Sequence, residues 1–384
     1  MSSNLIYSTL IIVWFFSSSL CFRRLGRYFS LFLILGVLLL VTQLCTIDYT
    51  LSKIKLDSNE QRISRIGKSC RKPTEANMDL IFYSKADNLC YCGTAKAGCT
   101  FWKQVIRFLN HDTGDQTYQH PLDIPRDIVH WGMKHTTQTN FYKLQKYFSN
   151  YERFMFVRNP FTRLWSAYID KIFLPDHWGH PFVSGLTSDK CPLNVTFEDF
   201  VKRVLDTPVG KMDTHWVPMS YSCDPCTFQP TFLGKMETFA ADVRHLLSRH
   251  NLSWIVDSHA SKHNEDEMKM LIRYNYNLFE HDKIQECITT RGLALRLWKV
   301  FQLNGHLSND ENLRLPKHGT ITEKEFEDLT VGASKRQNIS PAALKEQKKL
   351  HLKQAYESLS LTTITAIREK YASDFDMFGY DEIE

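Results

Sequence analysis

The stretch from Leu89 to Leu109, LCYCGTAKAGCTFWKQVIRFL, constrains the fold of this chain more than any other. It opens with an apolar run, residues 89–92, which has the length of a buried strand rather than of a helix. It closes with four apolar residues at the i, i+3, i+4, i+7 spacing of a helix with one buried face: Trp102, Val105, Ile106 and Leu109. The sequence therefore predicts a strand, a short loop and a helix.

The loop in this stretch, from Gly93 to Thr100, has the composition of a phosphate cradle. Free N–H groups and the positive end of the helix dipole converge at a helix start, and Lys96 adds a full charge. The loop differs from the ATP-binding motif G-x-x-x-x-G-K-[ST], because Cys99 stands where that motif has lysine. Taken alone, these residues also fit an ordinary strand-to-helix turn with an exposed lysine.

A second site is predicted around Arg158. Residues 153–158, RFMFVR, form a strand candidate, and Pro160 then starts a helix that carries Ser166. This order places Arg158 at the carboxyl end of a strand, where it and Ser166 can reach a ligand over the sheet edge. An arginine fork with a hydroxyl suits a phosphate dianion, whereas a surface arginine and a helix-facing serine are the alternative.

The N-terminus is predicted to enter a membrane. Two apolar stretches, Leu5 to Phe22 and Tyr28 to Cys45, are each near the length that crosses a bilayer, and arginines lie between them. The second is the stronger span, and the preceding arginines predict a cytoplasmic N-terminus and a lumenal remainder. Residues 1–45 are thus interpreted as a cytoplasmic tail and type II anchor with one or two spans. Whether the first stretch forms a hairpin with the second or an interfacial segment stays open.

The rest of the chain divides in two. Residues 46–77 are polar and lysine-rich, which favours a stem, and residues 78–384 are interpreted as the lumenal domain. Within that domain, short apolar runs alternate with amphipathic helices, the pattern of an α/β fold with a central parallel sheet. The net charge of +5 is mild, so the composition gives no indication of a nucleic-acid partner.

Cysteines and sequons agree with a lumenal domain. The cysteines predicted on that side, where disulfides persist, are Cys70, Cys90, Cys92, Cys99, Cys191, Cys223, Cys226 and Cys287. The Cys223-x-x-Cys226 pair could be half of a zinc site, but no second half completes it, so disulfides of undefined connectivity are favoured. Three glycosylation sequons begin at Asn194, Asn251 and Asn338.

The two predicted phosphate elements together resemble those of the Golgi carbohydrate sulfotransferases. A lysine-bearing strand–loop–helix is followed by a strand ending R-x-P-F-x-R-L-x-S-A-Y, and within these enzymes the resemblance is to the HNK-1 and chondroitin 4-O-sulfotransferase group of sulfotransferase family 2. Further segments resemble that group in the same order: residues 197–200, 215–218, 223–226, 234–238 and 374–380.

The resemblance implies a P-loop-like fold that uses 3′-phosphoadenosine 5′-phosphosulfate (PAPS) as sulfate donor. It implies that the 5′-phosphosulfate is held by Lys96, Ala97, Gly98, Cys99, Thr100, Phe101 and Trp102, and the 3′-phosphate by Arg158 and Ser166. Three positions depart from the pattern of the group. Ala95 replaces a proline, Phe101 an asparagine, and Asn159 an acidic residue.

In-line sulfuryl transfer requires positioned reactants, neutralised charge and removal of one proton. Lys96 is predicted to stabilise the leaving group, by analogy with phosphoryl transfer. His130 matches a histidine of the group and is the first candidate for the base, with His135 and His215 as competitors. His215 and Arg163 are also candidate acceptor-binding residues, and no metal is expected.

These observations predict a single-pass type II Golgi membrane protein that sulfates a glycan hydroxyl, with N-acetylgalactosamine O-4 of chondroitin or dermatan chains as the first candidate. A non-catalytic lumenal glycan-binding relative is one alternative. A nucleotide kinase is another, but it would need Lys-[ST] after Gly98 and an aspartate ending a strand for magnesium. Oligomeric state is open.

Overall fold

The computed structural model describes residues 57–70, 81–130, 136–137, 146–187, 189–257 and 263–380. The predicted anchor, residues 1–45, and the first part of the predicted stem lie outside these ranges. Within them, no helix combines the length and the apolar character that crossing a bilayer would require.

The centre of the fold is a five-stranded sheet with the order β3-β1-β2-β4-β5. The strands are β1 (Ile81–Ser84), β2 (Leu89–Cys92), β3 (Thr136–Thr137), β4 (Glu152–Val157) and β5 (Phe232–Lys235). The α/β class predicted from the sequence is confirmed.

The sheet contains the predicted central parallel strands but is mixed as a whole. Strands β2, β4 and β5 run parallel, but β1 pairs antiparallel with both β2 and β3. The antiparallel pairing of β1 with β2 follows from the short connection between them. Only residues 85–88 join β1 to β2, and a connection that short makes a hairpin, whereas a parallel pair needs a long crossover.

The helices cover both faces of the sheet. In chain order they are α1 (Asn59–Ser69), α2 (Cys99–Leu109), α3 (Arg126–His130), α4 (Pro160–Ala167), α5 (Pro181–Ser184), α6 (Phe197–Asp206), α7 (Met219–Ser222), α8 (Pro225–Phe228), α9 (Phe239–Ser248), α10 (Trp254–Asp257), α11 (His263–Phe279), α12 (Asp282–Gln285), α13 (Thr290–Leu303), α14 (Glu323–Arg336), α15 (Pro341–Glu357), α16 (Leu361–Lys370) and α17 (Ala372–Phe378). A π-helical segment, Tyr168–Phe173, directly follows α4.

Alternate residues of the parallel strands enter two different cores, as the period of a strand requires. Tyr91, Phe154 and Phe156 pack with Trp102 of α2 on one face. The residues that alternate with them along the strands, such as Met155, pack on the opposite face. Because both faces are covered, β2 is buried along its whole length, in agreement with its continuous apolar sequence.

The compact unit begins at Asn59, earlier than the predicted boundary at residue 78. Helix α1 falls in the segment interpreted as stem, yet it buries Arg62 and Ile66. Arg62 donates to the carbonyl of Leu233 in β5 at 2.9 Å and to Asp242 at 2.7 Å. Residues 59–69 therefore belong to the domain. Although this segment is mostly polar in sequence, one face of its helix is buried.

Three disulfides confirm the prediction of disulfide bonding: Cys70–Cys226, Cys92–Cys223 and Cys191–Cys287. Cys223 and Cys226 each form a disulfide with a different cysteine, so this pair cannot be half of a zinc site. Cys90 and Cys99 are free thiols.

Candidate active site

The loop between β2 and α2 has the conformation of an anion cradle. Lys96 and Gly98 both adopt positive φ, 64° and 79°, and no side chain caps the start of α2. The first N–H groups of that helix therefore remain available to a ligand. Gly98 is required here, because a Cβ at this position would lie 2.6 Å from the ring of Phe239.

The second predicted element contacts the first. Arg158 follows β4, and its Nη1 donates to the Lys96 carbonyl at 3.2 Å while its Nε donates to Thr162 Oγ1 at 3.1 Å. Because β2 and β4 are neighbouring parallel strands, the two loops that follow them lie at the same edge of the sheet. Ser166 is half-buried on α4, its hydroxyl makes no hydrogen bond within the described ranges, and its role stays a prediction.

Asn159, which stands where the resembled group has an acidic residue, still makes the helix-capping contact that an aspartate would make. Its side chain caps α4 by accepting from the N–H of Phe161 at 2.9 Å, as an aspartate would. Its own N–H donates to Glu237 at 3.0 Å, and Glu237 also accepts from the Tyr380 hydroxyl at 2.9 Å. Segments 234–238 and 374–380 therefore support the start of α4.

Three residues at the start of α2 that were predicted to hold the phosphosulfate contact different parts of the structure. Trp102 is fully buried against the sheet, which confirms its interpretation as a core residue. Phe101 packs edge-on against Phe239, with ring centroids 5.5 Å apart. Thr100 lies in the first turn of α2 beside Cys99, and its hydroxyl is 3.2 Å from a ring nitrogen of His130.

Lys96 has a partner that the sequence did not reveal. Its Nζ lies 2.8 Å from Asp170 Oδ2, and the same carboxylate accepts from Arg126 at 3.0 Å. Lys171 Nζ is 3.6 Å from it. Asp170 and Lys171 are both buried within the segment Tyr168–Phe173, and π-helical turns of this kind are frequent at functional sites.

The contacts continue beyond Lys171. Its Nζ lies 2.6 Å from Asp176 Oδ2, and Asp176 Oδ1 lies 3.2 Å from His177 Nδ1. His177 Nε2 is 3.5 Å from Asp213, whose other oxygen is 2.6 Å from His215 Nδ1. We call this set the charged network; its members are Lys96, Arg126, Asp170, Lys171, Asp176, His177, Asp213 and His215.

One pattern in the sequence indicates that this network contains buried, paired charges. Asp170, Lys171 and Asp176 occur in YIDKIFLPDHW, a run that is otherwise apolar and aromatic. Charged side chains in such a run are almost never fully buried unless they are paired. Their partners come from distant parts of the chain, so the pattern predicts pairing without identifying the partner.

His130 lies at the end of α3 with both ring nitrogens engaged. Nδ1 is 3.3 Å from Lys103 Nζ, and Nε2 is 3.2 Å from Thr100 Oγ1. Burial, followed by the charges of Lys103 and Arg126, lowers the pKa of His130 to about 2. His130 is therefore neutral at physiological pH, and its role as base stays a prediction. His135 lies outside the described residues.

Arg163 is not placed to meet an acceptor, which corrects that part of the prediction. Its side chain is 1% exposed. It donates to the carbonyls of Ala95 at 2.9 Å, Val217 at 2.5 Å and Thr214 at 3.0 Å. The guanidinium thus joins the Lys96 loop to the segment that carries His215, and its role is positioning.

The ionisation of the charged network follows from its contacts. Burial alone would raise the pKa of Asp170, but Arg126, Lys96 and Lys171 hold it well below its usual range. Burial alone would likewise lower the pKa of His177, but hydrogen bonds to Asp176 and Asp213 raise it to about 9. At neutral pH, His177 is therefore a cation between two carboxylates.

This assignment predicts a pH dependence of stability that His177 controls. A folded-state pKa of about 9 against 6.5 unfolded contributes up to about 3 kcal/mol. That contribution is fully present below pH 6.5 and is lost as the pH rises through about 9. In urea unfolding at pH 6 and pH 9.5, the wild type should lose more free energy of unfolding than His177→Gln. Equal losses would contradict the assignment.

The end of the network also has the donor atoms of a cation site. His177, Asp213 and His215 each present one donor atom, and these atoms lie within 4.8 Å of one another. Imidazole and carboxylate donors are typical of zinc and other transition metals. The expectation that no metal takes part stays a prediction.

Comparison with known proteins agrees with this geometry. Carbohydrate sulfotransferase 8 of Homo sapiens is 32% identical over 199 residues, which is 48% of this chain and 46% of the relative. Carbohydrate sulfotransferase 12 of Mus musculus is 32% identical over 187 residues, covering 41% and 45%, respectively. The matched part thus spans less than half the length of these relatives. No solved structure matches the chain.

A family model matches residues 79–302, more than half of the 384 residues, and is described as the sulfotransferase family. The matched range contains the loop with Lys96, the strand that ends at Arg158, and the charged network from Lys96 to His215. The chain therefore belongs to the sulfotransferase family.

Proposed function

We propose that this chain is a PAPS-dependent carbohydrate O-sulfotransferase. The observation that carries the proposal is the contact between its two predicted phosphate elements. Arg158 donates to the carbonyl of Lys96, so an uncapped helix start, a lysine and an arginine converge at one edge of the sheet. Such a convergence fits a ligand with two separated anionic groups.

In this reaction, the oxygen of a sugar hydroxyl forms a bond to the sulfur of PAPS. The bond from sulfur to the bridging oxygen breaks, the electron pair leaves with adenosine 3′,5′-bisphosphate, and the hydroxyl proton passes to a base. Lys96 would neutralise the charge that develops on the bridging oxygen. Asp170 would hold the ammonium of Lys96 in position, since its Oδ2 lies 2.8 Å away.

For the acceptor, we propose N-acetylgalactosamine O-4 of chondroitin or dermatan chains. The resemblance of the sequence to the chondroitin 4-O-sulfotransferase group supports this choice, and the matched relatives are themselves named carbohydrate sulfotransferases. An anionic glycan would also suit cations such as Lys103, which lies next to His130.

For the location, we propose a single-pass type II protein of the Golgi membrane with a lumenal domain. The three disulfides favour an oxidising compartment. The three sequon asparagines, Asn194, Asn251 and Asn338, are exposed, as glycosylation requires. We accordingly propose residues 1–45 as the anchor and the residues after it as lumenal.

The test is sulfate transfer by the full chain, purified in detergent. It would be supplied with radiolabelled PAPS and desulfated chondroitin, dermatan, heparan or N-glycan acceptors. We expect label in chondroitin or dermatan, suppressed by adenosine 3′,5′-bisphosphate, with the sulfate at O-4 after disaccharide analysis. Label in another glycan would replace the acceptor. Binding of PAPS without any transfer would favour a non-catalytic glycan-binding protein.

A further inference from the structure

We propose that Arg126 binds a carboxylate of the acceptor glycan and thereby selects chains that contain hexuronic acid. The inference rests on the proposed function and deepens it, because it names the group of the acceptor that the site recognises. It is carried by the hydrogen bonds of Arg126, by the aromatic ring against its guanidinium, and by its position beside Lys96 and His130.

Part of the Arg126 guanidinium has no partner among the described residues. An arginine side chain carries N–H groups on Nε, Nη1 and Nη2. Nη2 of Arg126 donates to the two oxygens of Asp170, at 3.2 Å and 3.0 Å, and lies 3.8 Å from Asp176. Nε and Nη1 donate to no described residue, and neither is one of the fully buried atoms without a partner in these ranges. Both nitrogens are therefore accessible to a ligand.

Arg126 differs in both respects from Arg163, which has a structural role. Arg163 uses all three nitrogens to bind backbone carbonyls, and it is 1% exposed. Arg126 uses one nitrogen, and its side chain is 13% exposed. Burial alone would lower the pKa of Arg126, but Asp170 and Asp176 raise it, so the guanidinium is charged at physiological pH. A partly open arginine that carboxylates hold in place suits the binding of an anion.

The guanidinium of Arg126 is also held in one orientation. Its Cζ lies 4.3 Å from the centre of the Tyr274 ring, on helix α11, which is the geometry of a cation–π contact. The ring covers one face of the guanidinium, while Asp170 binds its Nη2. A cation that is fixed before the ligand arrives loses less conformational entropy on binding.

Arg126 lies beside the proposed donor site. Asp170 Oδ2 accepts from Lys96 at 2.8 Å and from Arg126 at 3.0 Å, so the ammonium and the guanidinium flank one oxygen. Lys171 Nζ lies 3.6 Å from the same oxygen and 2.6 Å from Asp176. In this group three cations share two carboxylates, and the remaining positive charge favours an anionic ligand.

Arg126 also lies beside the predicted base. Arg126 and His130 are the first and last residues of α3, and residues four apart on a helix are neighbours on one face. After burial and Lys103, the charge of Arg126 is the next cause of the lowered pKa of His130. An acceptor hydroxyl at His130 would therefore leave the adjoining sugar near Arg126. In chondroitin and dermatan that sugar is a hexuronic acid, whose carboxylate matches the donors of a guanidinium.

The kinetic test uses two acceptors that differ only in this carboxylate. They are desulfated chondroitin and its carboxyl-reduced form, in which each carboxylate has become a primary alcohol. The wild type should prefer desulfated chondroitin by about 10-fold to 100-fold in kcat/KM, the effect of a hydrogen bond to a charged group. Arg126→Gln should remove most of that preference and leave the KM for PAPS little changed. An unchanged preference, or a loss of PAPS affinity in its place, would overturn the inference.

The binding test does not need sulfate transfer. Calorimetry would measure the affinity of the full chain, in detergent with adenosine 3′,5′-bisphosphate, for chondroitin oligosaccharides. Arg126→Gln should weaken this binding by about 10-fold or more. Arg273→Gln, which removes the same charge from an exposed position on α11, is the matched control and should not weaken it. Equal weakening in both variants would indicate a general attraction between the polyanion and the protein, and would overturn the inference.

This design separates the inference from the proposed function. Weaker binding in Arg126→Gln alone would support the inference even if the wild type transferred no sulfate and the proposed function failed. Arg126→Lys serves if Arg126→Gln does not fold, because an ammonium can still pair with Asp170 but lacks the fork of donors. It should also lose most of the preference for the carboxylate, and full retention of that preference would overturn the inference.

Tyr274 has a positioning role with its own test. Tyr274→Leu removes the ring that orients the guanidinium and should reduce the preference for the carboxylate in part. Tyr274→Phe keeps the ring and should retain the preference. Equal effects of the two substitutions would contradict the role of the ring.

Discussion

Replacement of Lys96 by alanine should reduce sulfate transfer by about 100-fold to 1,000-fold, the loss typical when one preorganised electrostatic contact to a transition state is removed. The Nζ of Lys96 is held by Asp170 at 2.8 Å on a loop whose backbone is fixed by Arg158 and Gly98. The charge is therefore already in position before the reaction begins. The loss should appear mainly in kcat, because the developing charge is largest in the transition state.

The fold should tolerate this change. Without Lys96, Asp170 still accepts from Arg126 and still lies 3.6 Å from Lys171, so its carboxylate does not become an unpaired buried charge. The thermal midpoint should fall by only a few degrees. Lys85→Ala, at an exposed lysine in the hairpin between β1 and β2, is the matched control and should keep full activity.

The measurement is kcat and KM for PAPS with a saturating acceptor, together with thermal unfolding of each variant. Transfer by Lys96→Ala within tenfold of wild type would show that this loop does not stabilise the leaving group. A collapse of stability would instead assign Lys96 a structural role.

The elements that the sequence predicted well are those determined by local patterns. The strand at residues 89–92, the loop and the helix after it follow from apolar spacing and two glycines, and the structure contains each of them. Helix α15, which runs from Pro341 to Glu357, also begins at a local signal, because the Ser340 side chain caps it and Pro341 is its first residue.

The elements that the sequence did not predict depend on distant partners. Asp213 and Asp170 are separated by 43 positions along the chain, and their roles appear only when both approach the residues between them. The hairpin that makes the sheet mixed was missed because a short apolar run does not indicate strand direction. Helix α1 was missed because its buried face is partly an arginine, Arg62.

Arg163 shows that a charged residue in the sequence is not necessarily exposed in the structure. Its sequence context, F-T-R-L-W, is compatible with a surface arginine that meets an anionic glycan. In the structure the side chain is 1% exposed, and the three acceptors of its hydrogen bonds are all backbone carbonyls. Burial lowers the pKa of Arg163, and the nearby Asp374 opposes the shift. A buried guanidinium that binds carbonyls from two segments has a structural role, and this role makes a separate prediction.

Arg163→Met should destabilise the domain by about 4 kcal/mol or more, because three hydrogen bonds from a charged donor are worth about 1.5 kcal/mol each and their carbonyls lose partners. Arg163→Lys should recover only part of this loss, since a single ammonium cannot match the fork geometry. Arg314→Met, at an exposed arginine, is the control.

Urea unfolding and transfer assays together separate the two roles of Arg163. If it positions the Lys96 loop and the His215 segment, both substitutions should lower stability, and Arg163→Lys should lose kcat more than acceptor affinity, because the loop that carries Lys96 is no longer held in place by three carbonyl contacts. If Arg163 instead contacted the acceptor, stability would be unchanged and only KM for the glycan would rise.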